Sequence, residues 1–224
     1  RAFGKGDRLM MSRRKFIVTA VLGSAGVAVA GFALQARNAR AQYDASVERT
    51  WRHTQGDVGT SAARLRELVR YATLAPSSHN TQCWKFRIGK DSVSILPDFR
   101  RRCPVVDPDD HHLFVSLGCA AENLIQAAAA KGLRGVATFN ADGDGSVDIA
   151  LDPAKPVSSP LFEAIPFRQS TRSVYDGQPI SSGDLQRMVE AGAGKGVRVH
   201  VLTEPKAMEQ VLECVIQGNT AQMQ

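Results

Sequence analysis

The ten residues from Ala75 to Trp84, APSSHNTQCW, place an unusual number of short polar side chains in one stretch. Their hydroxyl and amide groups both donate and accept hydrogen bonds. Pro76 closes an apolar pattern with helical spacing, so the stretch is expected to be a loop that follows a helix. Such a density of hydrogen-bonding groups in one loop raises the question of what they hold.

A second polar segment, FRQSTRSVYDGQPIS, runs from Phe167 to Ser181. Arg168, Ser170 and Arg172 alternate in it. Two guanidinium groups and a hydroxyl that converge on one point would form a phosphate site, because arginine offers paired planar donors. The alternative, which the pattern taken alone favours, is a solvated loop with two surface arginines.

Hydrophobic periodicity predicts the elements around these segments. A first helix precedes Pro76, and a β-hairpin pairs Trp84–Ile88 with residues 93–96. A long helix begins near Asp107–Asp110 and ends at Lys131-Gly132, and two short strands follow it at 136–139 and 147–151. Its apolar face comprises Leu113, Leu117, Ala120, Leu124 and Ala128.

A second unit begins near Phe162, and its helix starts at Ser181 or Ser182. The apolar face of this helix matches that of the first helix at a constant offset of 120 residues, and a strand at 197–202 is expected to follow it. The pairs are Leu65 with Leu185, Leu68 with Met188, Val69 with Val189, and Ala72 with Gly192. This pattern indicates a weak internal repeat.

Composition and charge limit the class of protein. The chain has 224 residues, of which 43% are hydrophobic, enough for one large domain or two small ones. Up to Arg40 there are eight basic residues and one acidic residue, a charge of +7, so the remainder carries −1 of the total of +6. The basic excess therefore belongs to the leader and does not indicate a nucleic-acid partner.

The leader has the organisation of an export signal. A basic segment, Met11–Phe16 (MSRRKF), precedes a weakly apolar stretch at 17–34 and a small-x-small cleavage site, Ala39–Ala41. Ser12–Phe16 resembles the twin-arginine motif, which predicts the twin-arginine translocase as a partner and a periplasmic or other extracytoplasmic location. The alternatives are a general secretory signal and an uncleaved leader that anchors the protein in the membrane.

The four cysteines show no CxxC motif and no cysteine–histidine spacing that suits zinc, so no metal site is predicted. Cys119 falls within the apolar helical pattern and is expected to be a small core residue. Disulfides after export remain open. His79 and the pair His111-His112 are expected to be structural or solvated.

The two polar segments together resemble the FMN-dependent nitroreductase family. APSSHNTQCWKF is similar to the family's flavin-contacting loop, with Cys83 where proline is usual, and RQSTR is similar to its phosphate-gripping opening. Residues 116–133 resemble its central helix, and the run from Asp98 to Pro108 resembles the Acg-like, single-chain branch. The resemblance covers about Leu65 to Leu202.

The resemblance implies an α+β, nitroreductase-like fold that is a fused pseudo-dimer of two half-units, because each motif occurs once, in complementary halves. The second half lacks a counterpart of the long helix and is expected to be truncated. The implied divisions are a signal region at 1–41, a linker at 42–60, a first half at 61–160 and an incomplete second half at 161–224.

The resemblance also implies a set of FMN-binding residues. These are Pro76, Ser77, Ser78, Asn80, Arg168, Gln169, Ser170 and Arg172. Gln82 and Trp84 are expected to fasten the loop to the core. No catalytic side chain is assigned, because the flavin itself carries the chemistry.

The main functional hypothesis is an exported, FMN-dependent oxidoreductase that passes electrons from a reduced donor to an acceptor, both of them small molecules. One alternative is an Acg-like protein that binds or sequesters FMN without turnover. A further alternative is a membrane-anchored α+β domain without a cofactor.

Overall fold

The computed structural model describes residues 35, 37–56, 59–194 and 196–222. The chain divides into two compact units, Arg1–Val58 and Gly59–Gln224. In the first unit, residues 37–50 form a helix, α1, which includes the expected cleavage site and the start of the expected linker. The basic and apolar segments of the predicted export signal, residues 11–34, lie outside the described residues.

The second unit contains a sheet of four antiparallel strands in the order β1-β2-β4-β3. The strands are β1 (Trp84–Ile88), β2 (Ser92–Pro97), β3 (Leu133–Asn140) and β4 (Ser146–Pro153). In the first hairpin Trp84 lies opposite Pro97, and in the second Leu133 lies opposite Pro153. Both predicted strand pairs are therefore confirmed, and the fold is mixed α and β with an antiparallel sheet.

Two helices, α2 (Ser61–Thr73) and α3 (His111–Ala130), pack on each other, and α3 covers the sheet. The alternation of β2 turns Val93 and Ile95 inward, and both are fully buried. The fully buried side chains of the helices include Leu68, Leu117 and Leu124. Burial of each such aliphatic side chain stabilises the fold by about 1.5–3 kcal/mol, so the predicted apolar faces of these two helices do form the core.

Polar side chains fix where the two long helices begin. Thr60 Oγ1 accepts a hydrogen bond from the backbone N–H of Ala63, at 3.3 Å. Asp107 accepts from the N–H groups of His112 and Leu113, at 3.0 Å each. Both contacts satisfy N–H groups that have no partner within the helix. The prediction that α3 starts at the aspartate cluster is confirmed.

Within the described ranges, α3 is the helix that is long and apolar enough to cross a membrane by length and composition alone. Core helices pass the same test. The apolar face of α3 packs against α2 and the sheet, and Leu113, Leu117 and Leu124 are each at most 2% exposed. The hydropathy of α3 is therefore explained by its place in the core.

After β4 the chain returns to the end of α2 through a short helix, α4 (Pro160–Ala164), and a 3₁₀ turn, Ile165–Phe167. Ser159 caps α4 by accepting a hydrogen bond from the N–H of Phe162, at 3.1 Å. The ring of Phe162 packs 5.2 Å from that of Tyr71, and Phe162 is 6% exposed. Arg168, which follows the 3₁₀ turn, therefore lies beside the C-terminal end of α2.

The remaining helices are α5 (Ser182–Gly192) and α6 (Pro205–Gln222). The predicted start of α5 at Ser181 or Ser182 is confirmed, and Ser181 caps the helix by accepting a hydrogen bond from the N–H of Asp184 at 3.1 Å. The expected strand at 197–202 was wrong, because between 194 and 202 the described residues form only an isolated bridge, Gly194 with Val197. A strand needs a neighbouring edge for its backbone groups, and the described part of the chain supplies none there.

The long helix α6 was not predicted, although Met208, Val211 and Val215 recur at helical spacing after Pro205, a residue favoured at a helix start. The described residues therefore contain a helix counterpart for the repeat, α5, but no strand counterpart. The fused pseudo-dimer stays a prediction.

Candidate functional site

The loop after α2 has a strained backbone. His79, Asn80 and Gln82 adopt positive φ angles of 49°, 55° and 50°. Residues other than glycine pay a cost of order 1 kcal/mol or more in this left-handed region, although asparagine tolerates it best. Strain of this kind persists only where the surroundings fix the backbone, so the hydrogen bonds around the loop decide its shape.

Short hydrogen bonds within the loop hold this conformation. Ser77 Oγ accepts from the backbone N–H of Gln82 at 2.9 Å, and Thr81 Oγ1 donates to the carbonyl of Ser78 at 2.9 Å. The N–H of Asn80 donates to the carbonyl of Ser77 at 3.0 Å. Some of the polar groups noticed in the sequence therefore shape the loop itself, and the hydroxyl of Ser77 is one of them.

Two contacts fasten the loop to the rest of the unit. The N–H of Ser78 donates to Ser116 Oγ of α3 at 3.1 Å, and that hydroxyl donates to the carbonyl of His112 at 2.7 Å. Arg101 Nη1 donates to the carbonyl of Thr81 at 3.2 Å. The sequence analysis did not identify Ser116 as a residue that holds the loop. Its position on the predicted long helix was the only feature of the sequence that could have indicated this role.

The expected anchors of the loop are confirmed only in part. Trp84 is 8% exposed and lies in the core as predicted. Gln82 is exposed, and it is the backbone N–H of Gln82 rather than its side chain that takes part in the loop. Cys83, which replaces the usual proline, is 1% exposed, so burial fixes this end of the loop.

Asp98 organises the arginine that holds the loop. Its carboxylate lies 2.9 Å from Lys85 Nζ and 3.8 Å from Arg101 Nε. The hydrogen bond from Lys85 is the main cause that lowers the pKa of Asp98 below its usual range. Asp98 and Arg101, which lie in the run from Asp98 to Pro108 identified in the sequence, thus place a cation against the loop.

Beside the loop lies an open depression of about 290 Å³. The loop contributes Pro76, Ser77 and Ser78, and α3 contributes His112, Val115, Ser116 and Cys119. Ligand pockets usually enclose about 300–1,000 Å³, so the volume of this depression is just below that range. His112 is exposed, as predicted, and it also lines the depression. Cys119 is half-buried and packs against the core, and it lines the depression as well, so the prediction of a core residue is confirmed only in part.

The structure brings Arg168 to this loop across 94 positions of sequence. Its Nη2 donates to the carbonyl of Leu74, at the end of α2, at 3.1 Å. Burial raises the pKa of the Cys119 thiol, and the positive charge of Arg168 opposes that shift, so the guanidinium lies near the depression. Arg168 Nη1 also lies 3.5 Å from Ser170 Oγ.

The other members of the predicted phosphate site do not contact the end of α2 as Arg168 does. Gln169, Ser170 and Arg172 are exposed. In the part of the chain that the structure describes, neither Gln169 nor Arg172 makes a hydrogen bond or an ion pair. Asn80 is also exposed, and its side-chain amide makes no hydrogen bond to a described residue. Whether these residues bind FMN stays a prediction.

The cysteines and acidic residues of the described ranges do not form a metal centre. All four cysteines are free thiols. No group of three or more histidine, cysteine, aspartate or glutamate side chains could hold a metal ion there. Fold and site together define the class: a mixed α and β unit with a strained polar loop, an adjoining cation and an open depression.

Comparison with known proteins shows what the chain resembles. No family model matches the chain. The chain is 29% identical over 164 residues to proteins named "Putative NAD(P)H nitroreductase" in two strains of Mycobacterium tuberculosis. The match covers 70% of this chain and 46% of each relative, so the chain spans about half the length of the relatives that it matches. The chain is thus similar to part of proteins that are named as nitroreductases.

Proposed function

We propose that the chain is the FMN-binding part of an exported oxidoreductase of the nitroreductase type, with FMN held between the loop after α2 and the segment that begins at Arg168. The observation that carries the proposal is the hydrogen bond from Arg168 to the carbonyl of Leu74. It joins the two segments that resemble the flavin loop and the phosphate grip, although they lie far apart in sequence.

The residues present fit FMN by their chemistry. The exposed amide of Asn80 and the hydroxyl of Ser78 beside it suit the polar edge of an isoalloxazine ring or the ribityl chain. The apolar Val115 and Pro76 suit a flat ring. The guanidinium groups of Arg168 and Arg172 suit a phosphate.

When bound, FMN would supply hydride and electron transfer. The protein's own residues would then bind and orient it. The loop conformation is already fixed by the bonds of Ser77 Oγ and Ser116 Oγ, so little ordering would accompany binding there. The depression is open, and a further wall, which the pseudo-dimer would supply from the second half, completes the pocket in this proposal.

The names of the relatives include NAD(P)H, so a nicotinamide cofactor is proposed as the electron donor. Mixing the purified flavin-loaded protein with NADPH or NADH and following the flavin absorbance tests this step. Bleaching supports an oxidoreductase. A flavin that stays oxidised with both donors would favour the alternative, a protein that binds FMN without turnover.

The phosphate grip is tested with Arg168→Ala in the full-length protein. We expect FMN affinity to fall about tenfold or more, because a charge-assisted hydrogen bond contributes roughly 1.5–3 kcal/mol. Riboflavin, which has no phosphate, should lose much less. The two dissociation constants are measured by titration of flavin fluorescence.

Arg87→Ala, an exposed arginine on β1, serves as the matched control and should leave both constants unchanged. Arg168 also holds the Leu74 carbonyl, so thermal unfolding is recorded for each variant. An equal loss for FMN and riboflavin in folded Arg168→Ala would remove the phosphate assignment and leave only a structural role.

A further inference from the structure

The segment that follows β2 holds the strained loop at two backbone carbonyls. The N–H of Asp98 donates to the carbonyl of Cys83 at 2.9 Å, and Arg101 Nη1 donates to the carbonyl of Thr81 at 3.2 Å. These two carbonyls lie on either side of Gln82, whose φ is 50°. One short segment therefore fixes the backbone both before and after a strained residue.

The two carboxylate oxygens of Asp98 have separate partners. Oδ1 lies 2.9 Å from Lys85 Nζ and accepts from the N–H of Arg100 at 3.3 Å, whereas Oδ2 lies 3.8 Å from Arg101 Nε. The hydrogen bond from Lys85 is the main cause that lowers the pKa of Asp98, so the group is an anion at neutral pH. The side chain of Arg101 is 56% exposed and has many rotamers in solvent, so the carboxylate restricts it to the side of the loop.

The loop depends on contacts of this kind for its conformation. The positive φ angles of His79, Asn80 and Gln82 each cost conformational energy. Hydrogen bonds oppose that cost, and the loop amides that donate them are those of Ser78, Asn80, Thr81 and Gln82. Because strain and hydrogen bonds are balanced, the population of this conformation is sensitive to the loss of one contact.

We propose that Asp98 is a positioning residue of the loop, and that through Arg101 it keeps the loop in the strained conformation that binds the flavin. The role in flavin binding rests on the proposed function. The effect on the loop does not, because exchange of the loop amides is measured without a flavin. When fewer molecules have the binding conformation, the apparent affinity falls by the same factor.

The first measurement is hydrogen–deuterium exchange of the loop amides in full-length, flavin-free protein. Asp98→Asn keeps an oxygen for Lys85 and Arg100 but removes the negative charge that faces Arg101. The loop amides should exchange about threefold faster, the effect of losing one exposed ion pair. Asp152→Asn is the matched control, because it breaks an exposed aspartate–arginine pair that joins β4 to β3, and it should leave loop exchange unchanged.

Variants of Arg101 test whether Asp98 acts through this residue. In an Arg101→Gln background Asp98→Asn should have no further effect, since the ion pair is already broken. Arg101→Lys keeps a cation for Asp98 and a donor for Thr81, so it should restore part of the protection that Arg101→Gln loses. Additive effects of the two substitutions, or no recovery with lysine, would overturn the inference and leave Asp98 with a structural role in its own turn.

The second measurement is the affinity for FMN and for riboflavin, by titration of flavin fluorescence. Asp98→Asn should weaken both by about threefold, because the loop is proposed to contact the part of the molecule that they share. Unchanged loop exchange, or faster exchange with unchanged flavin affinity, would overturn the inference. A wild-type protein that binds neither flavin would overturn the proposed function, while loop exchange would still decide whether Asp98 positions the loop.

Discussion

Asn80 combines an exposed side-chain amide with a left-handed backbone conformation. An experiment must therefore distinguish the effect of losing the amide from the effect of straining the backbone. Its φ is 55°, so alanine would add backbone strain to the loss of the amide. Asn80→Gly removes the side chain while allowing the same backbone. We expect this variant to lose about 1–3 kcal/mol of FMN binding free energy, because a flavin heteroatom would lose its partner.

The measurement is flavin content at limiting FMN, together with a fluorescence titration. His79→Gly is the control, since it has a φ of 49° and makes the same backbone change at the neighbouring position. Unchanged FMN affinity in Asn80→Gly would exclude Asn80 from the site.

Asp107 links the charge of a single residue to the stability of α3. Its pKa lies below the usual range, so the anion is favoured in the folded protein. This stabilisation is present above the pKa that Asp107 has in the unfolded chain and is lost as pH falls through the folded value. Asp107→Asn should therefore lower the free energy of unfolding by about 1 kcal/mol at neutral pH, because the amide NH₂ that replaces one carboxylate oxygen cannot accept a backbone N–H bond.

Urea unfolding of wild type and Asp107→Asn at neutral pH and in acid checks this prediction. The difference between the two proteins should shrink in acid, because the wild-type carboxylate is then protonated. Asp109→Asn, an exposed neighbour, is the control and should have little effect at either pH. A difference that did not depend on pH would show that the charge of Asp107 is not what stabilises the helix.

At the scale of elements, α4 determines where Arg168 lies. Phe162 is 6% exposed and packs on Tyr71, which is fully buried near the end of α2. Phe162→Ala should destabilise the second unit by about 3 kcal/mol, the usual cost of a large cavity. Because the same contact delivers Arg168 to Leu74, FMN affinity should also fall.

Leu161→Ala is a close control, as Leu161 belongs to the same helix but is 53% exposed. Chemical unfolding and FMN titration are measured for both variants under conditions where each is folded. If Phe162→Ala lowered stability while FMN affinity stayed unchanged, α4 would be a core element with no part in positioning the site.

At the scale of the whole molecule, the described structure has a packed core followed by helices with exposed apolar surface. The residues of α6 from Met208 to Ile216 include several large apolar side chains that are about half exposed. An open apolar groove of about 550 Å³ runs beside this helix. In the pseudo-dimer that we propose, this surface belongs to the second half-unit.

Export is also a property of the whole molecule and remains a proposal that rests on the sequence of the leader. Replacing Arg13 and Arg14 together with lysine keeps the charge but removes the paired arginines. We expect the variant protein to remain in the cytoplasm, as shown by cell fractionation and immunoblotting. Replacing Arg37 and Arg40 with lysine is the control, and normal export of the first variant would contradict the twin-arginine hypothesis.

The sequence by itself determined the local elements of the second unit up to the end of β4. Period-two and helical patterns, Pro76, Asp107 and Gly132 specify strands, helices and their ends through interactions between residues close in the chain. The same local reasoning identified the polar loop as a candidate site. It did not predict α6, and it placed a strand at 197–202 where the described chain offers no partner edge.

Only the tertiary structure decided which distant residues meet. Arg168 reaches Leu74 because Phe162 is buried against Tyr71. Ser116 Oγ joins the backbone of Ser78 to that of His112, so these two residues lie at the same depression. Sequence spacing carries no record of such contacts, since the packing of side chains from separate elements sets them. For the same reason Cys119 and His112, which read as core and solvated residues along one helix, line the candidate site once α3 is packed beside the loop.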